Sequence, residues 1–267
     1  MTLTIVAGLV MALIIGITLG LVGGGGSILT VPVFVYVMGI PPVEATAYSL
    51  FVVGATSAAG AAGYQRQGLI AWKDGLIFAI PSLVAVFVVR SLVLPAIPDT
   101  MGGLVGLSFS KDLFIMVLFA VIMALASFTM IRDGVQAAPN PNMSAGKKAA
   151  IIMLEGFGVG AITGLVGAGG GFLIIPALVI LMGMDMKLAV GTSLMIIAVK
   201  SLIGFTGDMI ALPYIDWSVI LPFTGLSLVG VWLGLMISKR IPGQKLKKAF
   251  GYFVAVMAVA ILIAELL

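Results

Sequence analysis

Lys200 stands about twelve residues into an apolar run covering 188–207, where a charge is costly and is tolerated when it faces a cavity or the bundle interior. Ser193, seven residues earlier, shares its helical face, and Thr192 adds a second hydroxyl beside it. An ammonium with hydroxyl donors nearby suits a small anion rich in oxygen. Two acids compete for the same lysine. Asp208 follows two turns along the same face, and Glu155 lies in an earlier apolar run. Either one closes a buried ion pair with Lys200 or carries a proton, and the sequence leaves both readings open.

A second feature with chemical capacity occurs twice. Residues 20–32 read Gly-Leu-Val-Gly-Gly-Gly-Gly-Ser-Ile-Leu-Thr-Val-Pro, and residues 164–176 read Gly-Leu-Val-Gly-Ala-Gly-Gly-Gly-Phe-Leu-Ile-Ile-Pro. Glycine-rich backbone leading into a helix offers unpaired N–H groups and a partial positive charge, which attract an anion. This makes Gly23, Gly24, Gly25, Gly26 and Ser27 candidate ligands in the first copy. Gly167, Ala168, Gly169, Gly170 and Gly171 are their counterparts in the second. Adjacent glycines break a helix, whereas Gly8, Gly16, Gly102, Gly106, Gly230 and Gly234 are read as letting helices pack closely. Ser49 sits at the offset of Ser193 in the other copy. Both serines either donate to a solute or back-bond to a carbonyl one turn earlier.

Other chemistry is excluded. The chain has neither cysteine nor histidine, so it holds no disulfide, thiolate metal site, imidazole haem ligand or imidazole proton relay. No spacing reads as a metal site or a catalytic triad, and no cofactor is expected. Gly23–Gly26 lacks the βαβ context of a dinucleotide loop. The net charge of +4 sits in short loops and describes membrane orientation, with no sign of nucleic-acid binding.

The elements that position these residues belong to a membrane protein. Hydrophobic residues make up 61% of the chain and charged ones 9%, against about 25% charged in a soluble domain. Apolar segments fall at 3–22, 27–39, 44–64, 74–94 and 113–132, then at 149–166, 171–183, 188–207, 218–238 and 249–265. The turn-rich stretch 133–148 separates the two sets as a cytoplasmic linker, giving a first repeat over 1–132 and a second over 149–267. The first run lacks a basic n-region and a cleavage site and reads as a retained span.

The halves align. A shift of 144 pairs Gly20-Leu-Val-Gly23 with Gly164-Leu-Val-Gly167, Pro32 with Pro176, Ser49 with Ser193, Ser57 with Ser201 and Gly60 with Gly204. It also pairs Lys200 with Thr56. One residue more pairs Trp72 with Trp217 and Ser82-Leu-Val84 with Ser227-Leu-Val229. If all ten segments cross, eleven basic residues face one side and two, Arg90 and Lys111, the other. If the two short segments do not cross, the split is eight against five. The sharper asymmetry selects ten crossings, with both termini outside and five-segment repeats of inverted topology.

Residues 3–39 must cross twice, while two full spans need about 40 residues before any turn. The turn therefore lies within the membrane thickness or part of the chain is extended. Proline fits best in the first turn of a helix, so 27–30 and 171–174 are expected as extended chain ahead of Pro32 and Pro176. Two such breaks entering from opposite faces meet near the midplane, where inverted-repeat transporters bind solutes.

Two repeats that each begin Gly-Leu-Val-Gly-x-Gly-Gly and reach a proline, followed by Tyr48-Ser-Leu50 or Thr192-Ser-Leu194, resemble the TauE/SafE sulfite exporter family over nearly the whole chain. The resemblance implies a secondary transporter in a bacterial or archaeal cell membrane. Its substrates would be small sulfur anions such as sulfite, thiosulfate, sulfoacetate or other sulfonates, often moved outward. Tyr48, where the second half has Thr192, departs from the pattern. The expected protein is an all-α polytopic transporter, not an enzyme, working by alternating access. Its partners are the lipid bilayer and a small anion, and a homo-oligomer is left open. A carboxylate or cation transporter and a non-transporting membrane scaffold are the alternatives.

Overall fold

The computed structural model describes residues 2–93, 96–98, 100–102, 108–132, 144–166, 171–211 and 214–266. Ten helices run through them: α1 (Thr2–Val22), α2 (Gly25–Val37), α3 (Pro42–Gln65), α4 (Trp72–Val93), α5 (Lys111–Ile131), α6 (Ala145–Val166), α7 (Gly171–Leu181), α8 (Met186–Ala211), α9 (Trp217–Arg240) and α10 (Gly243–Leu266). Seven of them (α3, α4, α5, α6, α8, α9 and α10) are long and apolar enough to cross a membrane. The protein is an integral membrane protein of helical architecture. The insertion near 101–110 adds one small element that composition alone did not announce. Strands β1 (Thr100–Gly102) and β2 (Ser108–Ser110) pair antiparallel, Met101 opposite Phe109. The helix expected from 149 starts earlier, at Ala145, and takes Lys147 and Lys148 into its first turn.

The expectation of extended chain at 27–30 and 171–174 is corrected. Both stretches are helical, and Pro32 and Pro176 lie inside α2 and α7. The helices are short, 25–37 and 171–181, and the first hairpin fits because its turn at Gly23 and Gly24 is buried inside the bundle. Each proline lacks the N–H for the carbonyl four residues back, and the next five residues, Val33–Val37 and Ala177–Leu181, widen into a π-helical turn. Both helices then end in the same way. Gly39 and Gly183 take φ of +71° and +64°, and the amides of Ile40 and Met184 reach back to Phe34 and Leu178 at 2.9 and 3.0 Å.

Four helix pairs carry most of the packing: α1 with α9, α4 with α6, α3 with α8, and α5 with α10. Small residues make the first two pairs close. A side-chain carbon placed on Gly16 would strike the Ser227 carbonyl, and one on Gly20 the Val231 carbonyl. On the other side, Gly156 lies on the Phe78 carbonyl and Gly160 on that of Ser82. Residue numbers rise together in both pairs, so the helices run parallel. In α3 and α8 they run oppositely: Gly60 meets Leu194, while Leu50 meets Gly204. This pair is the centre of the bundle, with 61% and 67% of its apolar windows buried, against 39% or less in the other five long helices. Tyr36, Phe87, Leu154 and Val256 lie exposed on the outside, as apolar side chains do when lipid is the solvent.

Candidate functional site

A cavity of about 860 Å³ opens beside the central pair. Its wall comes from the N-terminal half of α3 (Thr46, Ser49, Leu50, Val53) and the C-terminal halves of α4 (Leu83 to Ser91) and α8 (Lys200 to Asp208). Ser27 and Val31 of α2 and Thr163 of α6 complete it. Because α3 and α8 run oppositely, these halves share one side of the bundle. The other ends carry basic residues. Lys148 pairs with Asp74 at 2.7 Å where α6 and α4 begin, and the Lys187 ammonium donates to the Lys239 carbonyl at 3.5 Å where α8 begins and α9 ends. The cavity therefore lies in the half of the bundle away from this basic face.

Lys200 is 9% exposed, and its ammonium donates a hydrogen bond to Ser82 Oγ at 2.8 Å. No carboxylate of the described residues lies within ion-pair distance of it. An ammonium has three N–H donors, and Ser82 takes one. No other described residue accepts from the remaining two, which lie beside a largely apolar wall that screens charge weakly. Asp208 also lines the cavity, about 12 Å further along α8 at 1.5 Å per residue. Glu155 is half-buried in α6 and is not part of the wall. Its Oε2 is buried without a hydrogen-bond partner among the described residues.

The hydroxyls separate into two groups. Ser49 lines the cavity and makes no hydrogen bond to a described residue. Thr192 is fully buried and faces elsewhere, its Oγ1 accepting from the Ala71 amide at 3.0 Å. Ser193 back-bonds to the Val190 carbonyl at 2.8 Å. Sequence reading passed over Ser82, Ser201 and Thr163. Ser82 and Ser201 were visible as matched positions of the two halves, but nothing in one dimension brings Ser82 to Lys200.

The first glycine cluster is buried in full. Gly23 turns the chain with φ of +78° and packs on Ser193, whose Oγ would lie 2.6 Å from an added Cβ. Its N–H is spent on the Leu19 carbonyl at 2.8 Å, and the Ser27 N–H points to the Gly24 carbonyl at 3.3 Å. Gly25 and Gly26 open α2, where amides have no carbonyl inside their own helix. In the second cluster, Gly167, Ala168, Gly169 and Gly170 lie outside the described residues. Gly171 is described, and it meets the first cluster. A side-chain carbon on Gly24 would strike the Gly171 backbone, and one on Gly171 would lie 3.1 Å from Ser27 Oγ. Gly171 also rests on Ile197, near the middle of α8. The two hairpins thus touch at the edge of the cavity that Ser27 and Lys200 line.

A profile of the family described as "Sulfite exporter TauE/SafE" matches residues 8–261. The chain is 29% identical over 258 residues to a "Probable membrane transporter protein" of Xylella fastidiosa (strain 9a5c), covering 93% of this chain and 91% of that one. It is 29% identical to the "Probable membrane transporter protein YunE" of Bacillus subtilis (strain 168), covering 84% of each. It is 31% identical over 115 residues to the "Probable membrane transporter protein MJ0441" of Methanocaldococcus jannaschii, covering 41% of this chain and 43% of that one. No solved structure matches.

Proposed function

The chain belongs to the sulfite exporter TauE/SafE family, a family of membrane transporters, and from that membership we propose that it is a secondary transporter of small sulfur-containing anions. Sulfite, thiosulfate, sulfoacetate and other sulfonates are the class. The observation that carries the reading is the Lys200 ammonium, with Ser82 and no carboxylate of the described residues as its partner, on the wall of a cavity that the first turn of α2 also borders. A fixed positive charge with donors to spare, next to a helix N-terminus, selects for a negative solute. Ser27 and Ser49 supply hydroxyls on the same wall.

Transport proceeds by alternating access between two inverted five-segment repeats, 1–132 and 149–267, each with a broken glycine-rich hairpin. The exchanged contacts support this reading. Gly16 lies on Ser227 while its repeat partner Gly160 lies on Ser82, the partner of Ser227. Antiparallel α3 and α8 fit ten crossings, since leaving α2 and α7 out would make that pair parallel. Positive residues gathered at one face then mark the cytoplasmic side, and both termini lie outside.

Thermal stabilisation of the purified protein by sulfite, thiosulfate, sulfoacetate and acetate tests the substrate class, followed by flux of the best ligand in proteoliposomes. The sulfur anions are expected to raise Tm and acetate to leave it unchanged. Stabilisation by acetate alone, or by none of the four, would overturn the assignment.

A further inference from the structure

Part of the cavity wall has repeat-related positions toward the basic face. The shift of 144 carries Ser201, Gly204 and Gly207, all on the cavity wall, onto Ser57, Gly60 and Gly63. The middle pair is packed alike, Gly204 on Leu50 at 3.2 Å and Gly60 on Leu194 at 3.1 Å, and the difference lies at the outer pair, Gly207 and Gly63. Nothing lies within 4 Å of a side-chain carbon on Gly207, whereas Leu235 fills the space at Gly63. Ser57 is 0% exposed, and its Oγ has no hydrogen-bond partner among the described residues. Such a group carries the full cost of desolvation unless another state hydrates it.

Tyr64, one turn beyond Gly60, holds this region together. Its hydroxyl donates to the Gly20 carbonyl at 3.2 Å and lies 2.7 Å from Ser238 Oγ, tying the end of α3 to α1 and α9. Its repeat partner is Asp208, which lines the open cavity.

We infer that Ser57, Gly60 and Gly63 form the wall of a second solute vestibule opening on the basic face, and that the Tyr64–Ser238 hydroxyl pair is the latch that closes it. The vestibule takes the same small oxyanion as the open cavity, so its ligand rests on the function proposed above, while its opening does not. When the latch parts, Leu235 withdraws from Gly63, and the Ser57 hydroxyl gains water or anion oxygen as a partner. Tyr64 acts by setting the conformational balance and has no contact with the solute.

The chain has no cysteine, so a single substitution gives a unique thiol. Gly207→Cys reports the open cavity and Ser57→Cys the closed vestibule, each read as the labelling rate by a membrane-impermeant maleimide in membranes of known sidedness. Gly207→Cys is expected to label readily from the face opposite the basic loops, and Ser57→Cys hardly at all. Adding Tyr64→Phe should raise Ser57→Cys labelling from the basic face about fivefold or more, the shift one net hydrogen bond carries. Ser238→Ala breaks the same contact from the other side and should act alike.

An unchanged Ser57→Cys rate in both backgrounds, with Gly207→Cys still labelled as proof of folding, would overturn the inference. So would Ser57→Cys that reacts as fast as Gly207→Cys with the latch intact. Labelling requires no anion. Failure of the sulfur-anion assignment therefore leaves these rates as expected, and failure here leaves ligand stabilisation as expected.

Discussion

Gly24 and Gly171 meet backbone to backbone, so closely that a side-chain carbon on Gly24 would overlap the Gly171 carbonyl. The contact joins two hairpins from opposite halves of the chain, and Ser27 beside it borders the cavity. Gly24→Ala is expected to destabilise the protein by about 1–3 kcal/mol, the usual penalty for overpacking a core. Thermal melts of the purified protein read the loss. A Tm equal to that of the parent would show that the hairpins do not bear on each other.

Lys200 separates binding from stability, because the two respond with opposite signs. Its charge is buried against one serine, with no carboxylate of the described residues beside it. Lys200→Met should therefore raise Tm or leave it unchanged, since an apolar side chain of similar length removes a desolvated charge. The same change should weaken anion stabilisation about tenfold or more, given ~1.5–3 kcal/mol for a charge-assisted hydrogen bond. A variant that loses stability while keeping anion affinity would make the lysine a structural group.

Thr192 and Ser49 should divide in the same way. Thr192 Oγ1 accepts the Ala71 amide, so Thr192→Val strands a donor and is expected to cost about 1–3 kcal/mol of stability while leaving affinity unchanged. Ser49 faces the cavity with no hydrogen bond to a described residue, so Ser49→Ala should leave Tm in place and lower affinity severalfold. Parallel melts and ligand titrations of the two variants settle which hydroxyl faces the solute.

Much of the fold was legible in one dimension because lipid imposes it. Apolar runs long enough to cross, broken by loops, leave few choices but helix, and the paired glycine–proline motifs mark both hairpins. Pro32 and Pro176 misled about local backbone. Proline is a common first residue of a helix, and nothing local tells that position from the end of an α segment leading into a π turn. Lys200 and Ser49 were legible as candidates because charge and repeat position are sequence properties. Ser82 was not, because it reaches Lys200 across 118 positions of chain through packing of α4 on α8. The side on which the cavity opens was equally hidden, since each half is written alike and only the packed state distinguishes them.

Glycine substitutions along the helix pairs should split by sign. Gly16 and Gly160 are repeat partners, and a side chain on either meets a backbone carbonyl, of Ser227 and Ser82 respectively. Helix backbones in a membrane approach this closely only over small residues, so Gly16→Ala and Gly160→Ala should each destabilise by about 1–3 kcal/mol. Gly158 and Gly225 lie in the same helix pairs, in α6 and α9, with nothing within 4 Å of an added carbon. There alanine gains up to about 1 kcal/mol of helix propensity without a clash, and Tm should rise or hold. Four melts thus compare two pairs that share composition and differ only in what faces the α carbon. If Gly16→Ala and Gly160→Ala fell by unequal amounts, with one near zero, the two halves would not exchange contacts as repeats do. Equal losses at those two, set against gains at Gly158 and Gly225, would tie the packing of the bundle to the same symmetry that pairs an open cavity with a latched one.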